Sequence, residues 1–402
     1  MEIRLLFTTR IVRLFCYGFL SVVLALYLAQ IGLAEMEIGL LFTLTLFGDA
    51  GISLWLTTSA DTFGRRRTLI IGALLMVGAG AVFILTRNPL LLMAAAIIGV
   101  ISPSGNEIGP FLSVEQAALT QLLPDDRRTQ TFAWYNLSGS FATAAGALAG
   151  GWLAQILQQG GWAAADSYRV VLAGYALGGT ALAVLFAFLS AGIEVRKEDE
   201  DPSVKRTLGL HKSRGAVLRL SSLFALDAFA GGLIVQSMVA YWFHIRFGVQ
   251  PGVIGSIFFG ANLLAGVSAL LSGALSRRIG LINTMVFTHI PSNVLLILVP
   301  LMPSLPAAIG VLLARFSISQ MDVPARQSYT MAVVAPDERS AASGVTAIAR
   351  SVGAAISPSL AGIFLSVPAL ISAPFFFAGG LKIVYDLLVY RGFRSRKAPE
   401  ER

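Results

Sequence analysis

The sequence is dominated by apolar segments that are each long enough to cross a lipid bilayer as a helix. About 20 consecutive apolar residues span the roughly 30 Å hydrocarbon core. Twelve segments of this kind lie near residues 10–32, 36–58, 67–86, 89–121, 129–157, 169–192, 217–245, 252–275, 281–302, 305–333, 341–366 and 370–390. Because the bilayer interior has no water to satisfy open backbone groups, such segments must be helical. The pattern predicts an all-α membrane protein with 12 transmembrane helices.

The composition excludes most soluble functions. Hydrophobic residues make up 55% of the chain and charged residues 13%, against roughly 25% charged residues in soluble domains. The single cysteine, Cys16, excludes an intrachain disulfide and a cysteine-cluster metal site. His211, His244 and His289 are far apart and show no nucleophile–histidine spacing. We therefore expect no enzyme activity, no cofactor and no metal, and the net charge of +8 is typical of a membrane protein rather than of a nucleic-acid binder.

The polar segment after the sixth span divides the chain into two halves and helps to orient it. It predicts an N-terminal six-helix bundle (1–193), a cytoplasmic linker (194–215) and a C-terminal bundle with a short tail (216–402). With both termini cytoplasmic, the outer loops hold only Arg87, Arg169 and Arg246, whereas the inner loops are rich in Lys and Arg. Since loops rich in Lys and Arg stay on the cytoplasmic side, we expect both termini to be cytoplasmic. We further expect a monomeric, multi-pass protein of the plasma (inner) membrane, surrounded by its lipids.

Two stretches about 212 residues apart are similar to each other. Residues 124–128 (PDDRR) and 336–340 (PDERS) each precede an apolar span with small residues. Upstream of each lies a span interrupted by polar residues, at 102–107 and 317–327. A duplicated membrane unit with ionisable residues at matching places is typical of secondary transporters. The duplication predicts two pseudo-symmetric six-helix bundles, with the fourth and tenth spans facing each other across a central cavity.

The loop between the second and third spans carries a family motif. Residues 60–67 (ADTFGRRR) resemble the G-x-x-x-D-x-x-G-R-[RK] loop of the major facilitator superfamily, with Thr57 in place of the first glycine, and 276–280 (SRRIG) resemble a degraded second copy. The resemblance implies the twelve-helix fold of that family and transport of a small-molecule substrate by alternating access. The gating residues that it implies are Asp61, Gly64, Arg65 and Arg66. The alternative is that these residues only set the topology.

The fifth span carries a second motif. Residues 146–151 (GALAGG) resemble the G-P-x-x-G-G motif of the family's proton-coupled antiporters, with Ala147 in place of proline. The matching residues are Gly146, Gly150 and Gly151, and Pro358 keeps the proline in the second half. The resemblance implies exchange of the substrate for protons. Close packing of helices through small residues is the structural alternative.

Ionisable residues inside the spans are the candidates for the substrate and proton pathway. A charge at mid-bilayer costs at least about 2.5–3.5 kcal/mol unless it is paired or hydrated, so these residues are expected to face one another or water. The predicted pathway residues are Arg13, Asp49, Asn106, Glu107, Glu115, Asp227, Arg315, Asp322 and Arg326; Arg350, Lys382 and Asp386 are further buried charges.

Glu107 is the predicted proton-coupled carboxylate. It lies near the middle of span four, where Pro103, Gly105, Gly109 and Pro110 make a continuous helix unfavourable. Irregular backbone at this depth is tolerated where it lines a cavity or packs on protein. A divalent-metal substrate bound by Glu107 with its neighbours is a further alternative.

Span ten is predicted to present a charged face. Arg315, Asp322 and Arg326 are seven and four residues apart, which places them on one side of a continuous helix. Asp322 and Arg326 are spaced to pair, and Pro324 between them should bend the helix. The surplus positive charge of this face is then neutralised by Glu107, by Glu115 or by an anionic substrate.

The leading interpretation is a secondary transporter that exports a small solute in exchange for protons. One alternative is a proton-coupled importer of a small anion, favoured by the arginines of span ten. Another is a membrane sensor that kept the transporter fold, although no output domain is visible in the linker or tail.

Overall fold

The computed structural model describes residues 1–106, 109–194, 213–334 and 338–394, except for the side chains of 57–59, 61–62, 125–129, 191 and 340–341. All regular structure within these residues is helical. The α-helices are α1 (Glu2–Ser21), α2 (Leu24–Gln30), α3 (Glu35–Phe63), α4 (Arg65–Leu85), α5 (Pro89–Ile98), α6 (Phe111–Leu122), α7 (Asp125–Gln159), α8 (Ala164–Ala187), α9 (Arg214–Gly232), α10 (Gln236–Phe247), α11 (Pro251–Ile279), α12 (Leu281–Leu298), α13 (Leu305–Phe316), α14 (Asp322–Ala332), α15 (Arg339–Ser366) and α16 (Ala373–Phe393). Short 3₁₀ turns occur at Ala191–Ile193, Val299–Leu301 and Pro368–Leu370.

The helices form two compact units. The first unit contains Met1–Glu200 together with Val235–Asn262, and the second contains Asp201–Ile234 together with Leu263–Arg402. Helix α10 and the start of α11 therefore pack with the N-terminal helices. Ser237 Oγ donates to the backbone oxygens of Ser21 (2.6 Å) and Pro103 (2.7 Å), and the Tyr241 hydroxyl donates to Glu35 (2.8 Å). The division into residues 1–193 and 216–402 remains a prediction.

Nine helical spans among the described residues are long and apolar enough to cross a bilayer, or ten if α1 and α2 form one bent span. The first span begins at Glu2, earlier than the sequence pattern indicates. Predicted spans four and ten each consist of two shorter helices, α5 with α6 and α13 with α14. The structure confirms an all-helical, multi-pass membrane fold, while the number twelve remains a prediction.

The predicted break in span four is confirmed. Helix α5 ends at Ile98, and α6 begins at Phe111. Between them Gly105 and Gly109 have φ values of 68° and 79°, in the left-handed region that side chains other than glycine rarely occupy. The glycines noted in the sequence thus allow the chain to turn inside the membrane.

The prediction for span ten was wrong in its geometry. The helix stops at Phe316 and restarts at Asp322, so Arg315 and Asp322 belong to different helices instead of one continuous face. Pro324 does not bend a helix interior. It occupies the first turn of α14, where its missing N–H has no helical partner to lose.

The glycines of the antiporter-like motif lie where helices meet at backbone contact. A Cβ at Gly146 or Gly150 would collide with the carbonyl oxygen of Phe15 or Phe19 on α1, and one at Gly151 with that of Pro251 on α11. In the second unit the same kind of crossing joins α9 and α15, where Gly353 faces the Ala225 carbonyl. Pro358 lies in the interior of α15. These contacts give the motif a packing role; its part in proton exchange remains a prediction.

Substituting Gly146 with alanine should destabilise the protein. The new methyl group meets the Phe15 backbone, which cannot move as a flexible side chain would, so α1 and α7 must separate. Gly78→Ala is the matched control, because Gly78 is also helical and a Cβ added there would have open space around it. We expect thermal unfolding in detergent to show a lower midpoint for Gly146→Ala and no loss for Gly78→Ala. Equal midpoints would contradict the close contact.

Candidate functional site

Asp227, on α9, is the centre of a buried ion network in the second unit. Lys382 Nζ lies 2.5 Å from its Oδ1, and Arg326 Nη1 lies 2.9 Å from its Oδ2. Arg350 Nη1 lies 3.4 Å from the same Oδ2. Only 4% of Asp227 is exposed. One carboxylate therefore holds three cations that belong to three other helices.

His289 extends this network to a second carboxylate. Its Nδ1 lies 2.8 Å from Asp386 Oδ1, and its Nε2 lies 3.9 Å from Asp227 Oδ1. Asn293 Nδ2 donates to Asp386 Oδ2 at 3.2 Å. The imidazole thus stands between two buried carboxylates, with one ring nitrogen turned toward each.

Helical spacing explains how so many polar groups reach one place. The pairs His289 and Asn293, and Lys382 and Asp386, are each four residues apart, so each pair shares a helix face. Residues on the other sides of α12 and α16 are largely apolar. Each helix therefore presents one polar patch, and packing of the unit brings the patches to Asp227.

Asp322 and Arg326 form the predicted pair on α14, with Arg326 Nη1 3.4 Å from Asp322 Oδ2. The shorter contact of Arg326 is the one to Asp227. Arg315, across the helix break, stacks its guanidinium over Phe316 at 4.8 Å from the ring centroid. The structure thus joins three of the predicted pathway residues, Asp227, Asp322 and Arg326, and places Arg315 within electrostatic reach of the two carboxylates.

Arg13 and Glu115 form a separate, fully buried ion pair in the first unit. The guanidinium makes two hydrogen bonds to the carboxylate, at 2.9 and 2.7 Å, and both side chains are 0% exposed. Thr9 Oγ1 donates to Glu115 at 2.8 Å, and the Tyr135 hydroxyl also donates to it. Two-point pairing and two added donors are what a buried charge pair needs to be stable.

The prediction that Glu115 could complete the charge of Arg326 was wrong. Glu115 is held by Arg13 on α1, and Arg326, the cation of α14, pairs with Asp227 on α9. Spacing along a helix indicates which residues share its face, but it does not indicate which other helix that face will meet.

The remaining predicted pathway residues lie around the break in span four. Asp49 on α3 accepts a hydrogen bond from the Gly109 N–H at 2.5 Å and another from Ser53 at 3.1 Å. Asn106 is exposed, and its backbone oxygen accepts from Ser102 Oγ at 2.8 Å. Glu107 lies outside the described residues, so its proton-coupling role remains a prediction. Asp49 positions the irregular backbone that follows Glu107.

The gating loop is tied to the segment that follows α8. Gly64 has a φ of 105°, as the tight turn requires. The Glu194 carboxylate accepts from the backbone N–H groups of Arg65 (2.7 Å) and Arg66 (3.1 Å), so it caps the start of α4. Arg65 is buried and donates to Gln121 Oε1 (2.9 Å) and the Ile193 carbonyl (3.0 Å). The side chain of Asp61 lies outside the described residues.

Substituting Arg65 with alanine should slow transport while leaving substrate binding largely intact. Among the contacts it removes are the hydrogen bonds that join α4 to the end of α6 and to the segment after α8. Arg67→Ala is the control, since that neighbouring side chain is exposed. Equilibrium binding and initial transport rate would be compared in the two variants. Equal losses of binding and transport in Arg65→Ala would rule out a role confined to gating.

Several groups in these networks could not be identified from the sequence. His289 lies in a largely apolar helix, where Thr288, Ser292 and Asn293 are its nearest polar neighbours in sequence. Glu194 falls at the start of the polar linker, where charged residues are common. Within the described part of the chain, no cluster of three or more His, Cys, Asp or Glu residues could hold a metal ion. The metal alternative at Glu107 falls outside that part.

Comparison with known proteins places this architecture in a family. The family model of the Major Facilitator Superfamily matches residues 6–358. A Saccharomyces cerevisiae protein, the uncharacterized membrane protein YJR124C, is 30% identical over 417 aligned positions, covering 96% of this chain and 93% of the yeast protein.

Solved transporter structures share the fold. A mutant of the nucleoside transporter NupG superposes with a TM-score of 0.77 at 13% identity, covering 98% of this chain and 100% of NupG. A bacterial homolog of the human lysosomal transporter Spinster gives 0.71 at 18% identity, with 100% and 97% covered. The human organic anion transporter MFSD10 (TETRAN) gives 0.64 at 18% identity, with 96% and 98% covered. The chain belongs to the Major Facilitator Superfamily and has the fold of its secondary transporters.

Proposed function

We propose that the protein is a proton-coupled secondary transporter whose coupling site is the Asp227 network. The observation that carries this proposal is the convergence of Lys382, Arg326 and Arg350 on the single carboxylate of Asp227. Intramembrane ionisable residues that face one another are typical of proton relays and substrate pathways. A proton on Asp227 would remove the charge that holds all three cations at once.

His289 supplies a route for that proton. When Nδ1–H donates to Asp386, Nε2 presents its lone pair toward Asp227. The separation of 3.9 Å exceeds a hydrogen bond, so a transfer needs an approach of about 1 Å or one bridging water. The charged groups that face the relay are Arg315, Asp322, Arg326, Arg350 and Lys382.

The charge balance decides which direction of coupling the network favours. Arg315, Arg326, Arg350 and Lys382 face Asp227, Asp322 and Asp386, which leaves one surplus cation before His289 is counted. Protonation of Asp227 adds to that surplus, so it strengthens the binding of an anion. By linkage the anion then strengthens the binding of the proton. The network therefore favours movement of a small anion and a proton in the same direction.

Efflux by proton exchange, the leading interpretation of the sequence, remains the second candidate. It is supported by the resemblance of Gly146, Gly150 and Gly151 to an antiporter motif. In that case a proton and the substrate compete for one carboxylate, and each displaces the other. The two candidates predict opposite movements of protons when substrate is added.

Proteoliposomes that enclose a pH-sensitive dye distinguish the candidates. A panel of small carboxylates, inorganic phosphate and neutral or cationic solutes is added outside, with protein-free vesicles as the control for passive leakage. We expect one or more anions to acidify the interior only when the protein is present. Alkalinisation that also requires the protein would establish exchange instead, and no protein-dependent proton movement with any solute would refute proton coupling.

A further inference from the structure

The break between α13 and α14 leaves two buried polar groups of the second unit without partners among the described residues. Ser319 lies in the break and is 6% exposed, and its Oγ makes no hydrogen bond to that part of the chain. The Nε of Arg315 is likewise buried without a partner there. Buried polar atoms are almost always paired in native proteins, and an exception needs an explanation such as an absent ligand.

Packing alone does not account for these two groups. A hydroxyl buried without a partner costs about 1–3 kcal/mol, and a charged group costs more. An apolar residue at either position would avoid that cost. Irregular backbone inside a membrane is tolerated where it packs on protein or lines a cavity, and broken helices often carry the substrate sites of transporters.

The charges around the break define the chemistry of a ligand. Arg315 is close enough to Asp322 and Asp227 for their carboxylates to act on it electrostatically, but it forms no ion pair with either. Arg350 has a single 3.4 Å contact with Asp227, and 37% of its side chain is exposed. Asp227 is shared with two closer cations, Lys382 and Arg326. Two guanidinium groups are thus incompletely matched by negative charge.

We propose that Arg315 and Ser319, with Arg350, bind the oxyanion group of the transported substrate. The guanidinium of Arg315 offers its unused donors to a carboxylate or phosphate oxygen, and the Ser319 hydroxyl donates a further hydrogen bond. The proposal deepens the proposed function and rests on it: Asp227 and His289 exchange the proton, whereas the break recognises the anion.

In this scheme Asp227 is protonated first, and Arg315 then binds the oxyanion. While Asp227 is ionised, it holds Arg350 and adds negative potential near Arg315, so an incoming oxyanion is disfavoured. Protonation of Asp227 releases Arg350 and removes that potential. The oxyanion then neutralises the surplus positive charge. Binding of the anion is thereby coupled to binding of the proton, as a carrier of both requires.

The test is a binding measurement that requires no gradient. Thermal unfolding of the purified protein is followed with succinate, benzoate and inorganic phosphate, and with the uncharged amides succinamide and benzamide. We expect at least one oxyanion, and neither amide, to raise the unfolding midpoint of the wild type. The two carboxylates and phosphate distinguish a carboxylate from a phosphate ligand.

Three variants then locate the site. Arg315→Gln and Ser319→Ala should weaken binding of the active anion about tenfold or more, as expected for loss of a hydrogen bond to a charged group. Arg315→Lys keeps the charge but not the planar fork, and it should recover part of the affinity. Their midpoints without anion report whether they fold.

The outcomes separate this inference from the proposed function. Folded variants that bind the active anion with wild-type affinity would overturn the site, and so would a wild type stabilised by none of the three anions. If Arg315→Gln loses binding but the wild type moves no protons with the anion, the site stands and proton coupling fails.

Discussion

Replacing Asp227 with asparagine is expected to abolish proton-driven uptake of the anion that acidifies proteoliposomes containing the wild-type protein. The amide keeps the size of the carboxylate but cannot accept a proton, and it removes the charge that holds Lys382, Arg326 and Arg350. Uptake with and without an imposed pH gradient measures the effect. We expect the gradient to have no influence on the variant, even if slow exchange of anion persists.

A second variant distinguishes a loss of coupling from simple unfolding of the protein. Removing one partner of a buried ion pair costs about 3–5 kcal/mol, because the other charge is left uncompensated. The double variant Asp227→Asn with Lys382→Met restores the charge balance, and it should recover most of the lost thermal stability. Its uptake should still be insensitive to the gradient. Gradient-driven uptake at the wild-type rate in either variant would remove Asp227 from the coupling site.

The Arg13–Glu115 pair should affect stability instead of coupling. Arg13→Met leaves a fully buried carboxylate whose remaining hydrogen-bond donors among the described residues are Thr9 and Tyr135, so we expect a loss of about 3–5 kcal/mol. The double variant Arg13→Met with Glu115→Leu has no buried charge at this place, and it should regain most of the unfolding midpoint.

The same double variant decides whether this pair belongs to the proton pathway that the sequence predicts. Glu115 contacts Arg13, Thr9 and Tyr135, whereas Asp227 has the imidazole of His289 nearby as a carrier for a proton. We therefore expect the folded double variant to retain gradient-driven uptake. A folded double variant that has lost coupling would return Glu115 to the pathway.

The sequence predicted the helical membrane fold and the break in span four, but not the break in span ten. The break in span four could be predicted because glycine disfavours a continuous helix. In the structure Gly105 and Gly109 adopt backbone angles that few other residues tolerate. The break before α14 was not predicted, since residues 317–321 contain no glycine or proline and Pro324 was interpreted as a bend instead of as part of a helix start. There the local sequence allows a helix, and the surrounding packing determines where it stops.

Most charged residues of the candidate site were predicted, but most of their pairings were not. A charge inside an apolar span is visible in any sequence, so Asp227, Arg326 and Lys382 were found. The Asp322–Arg326 pair followed from helical spacing. Arg13 and Glu115 are 102 positions apart in the sequence, so only the packed structure shows that they pair. His289 was missed because a single histidine in an apolar helix has no distinctive spacing.

Infrared difference spectroscopy of the purified protein in lipid, recorded as the pH is changed, tests the central claim most directly because it needs no substrate. The signal is the carbonyl stretch of a carboxyl group that gains or loses a proton. We expect a wild-type band that is absent from the Asp227→Asn/Lys382→Met variant and preserved in the Arg13→Met/Glu115→Leu variant. A band unchanged in the first variant, or lost from the second, would contradict the assignment of proton exchange to Asp227.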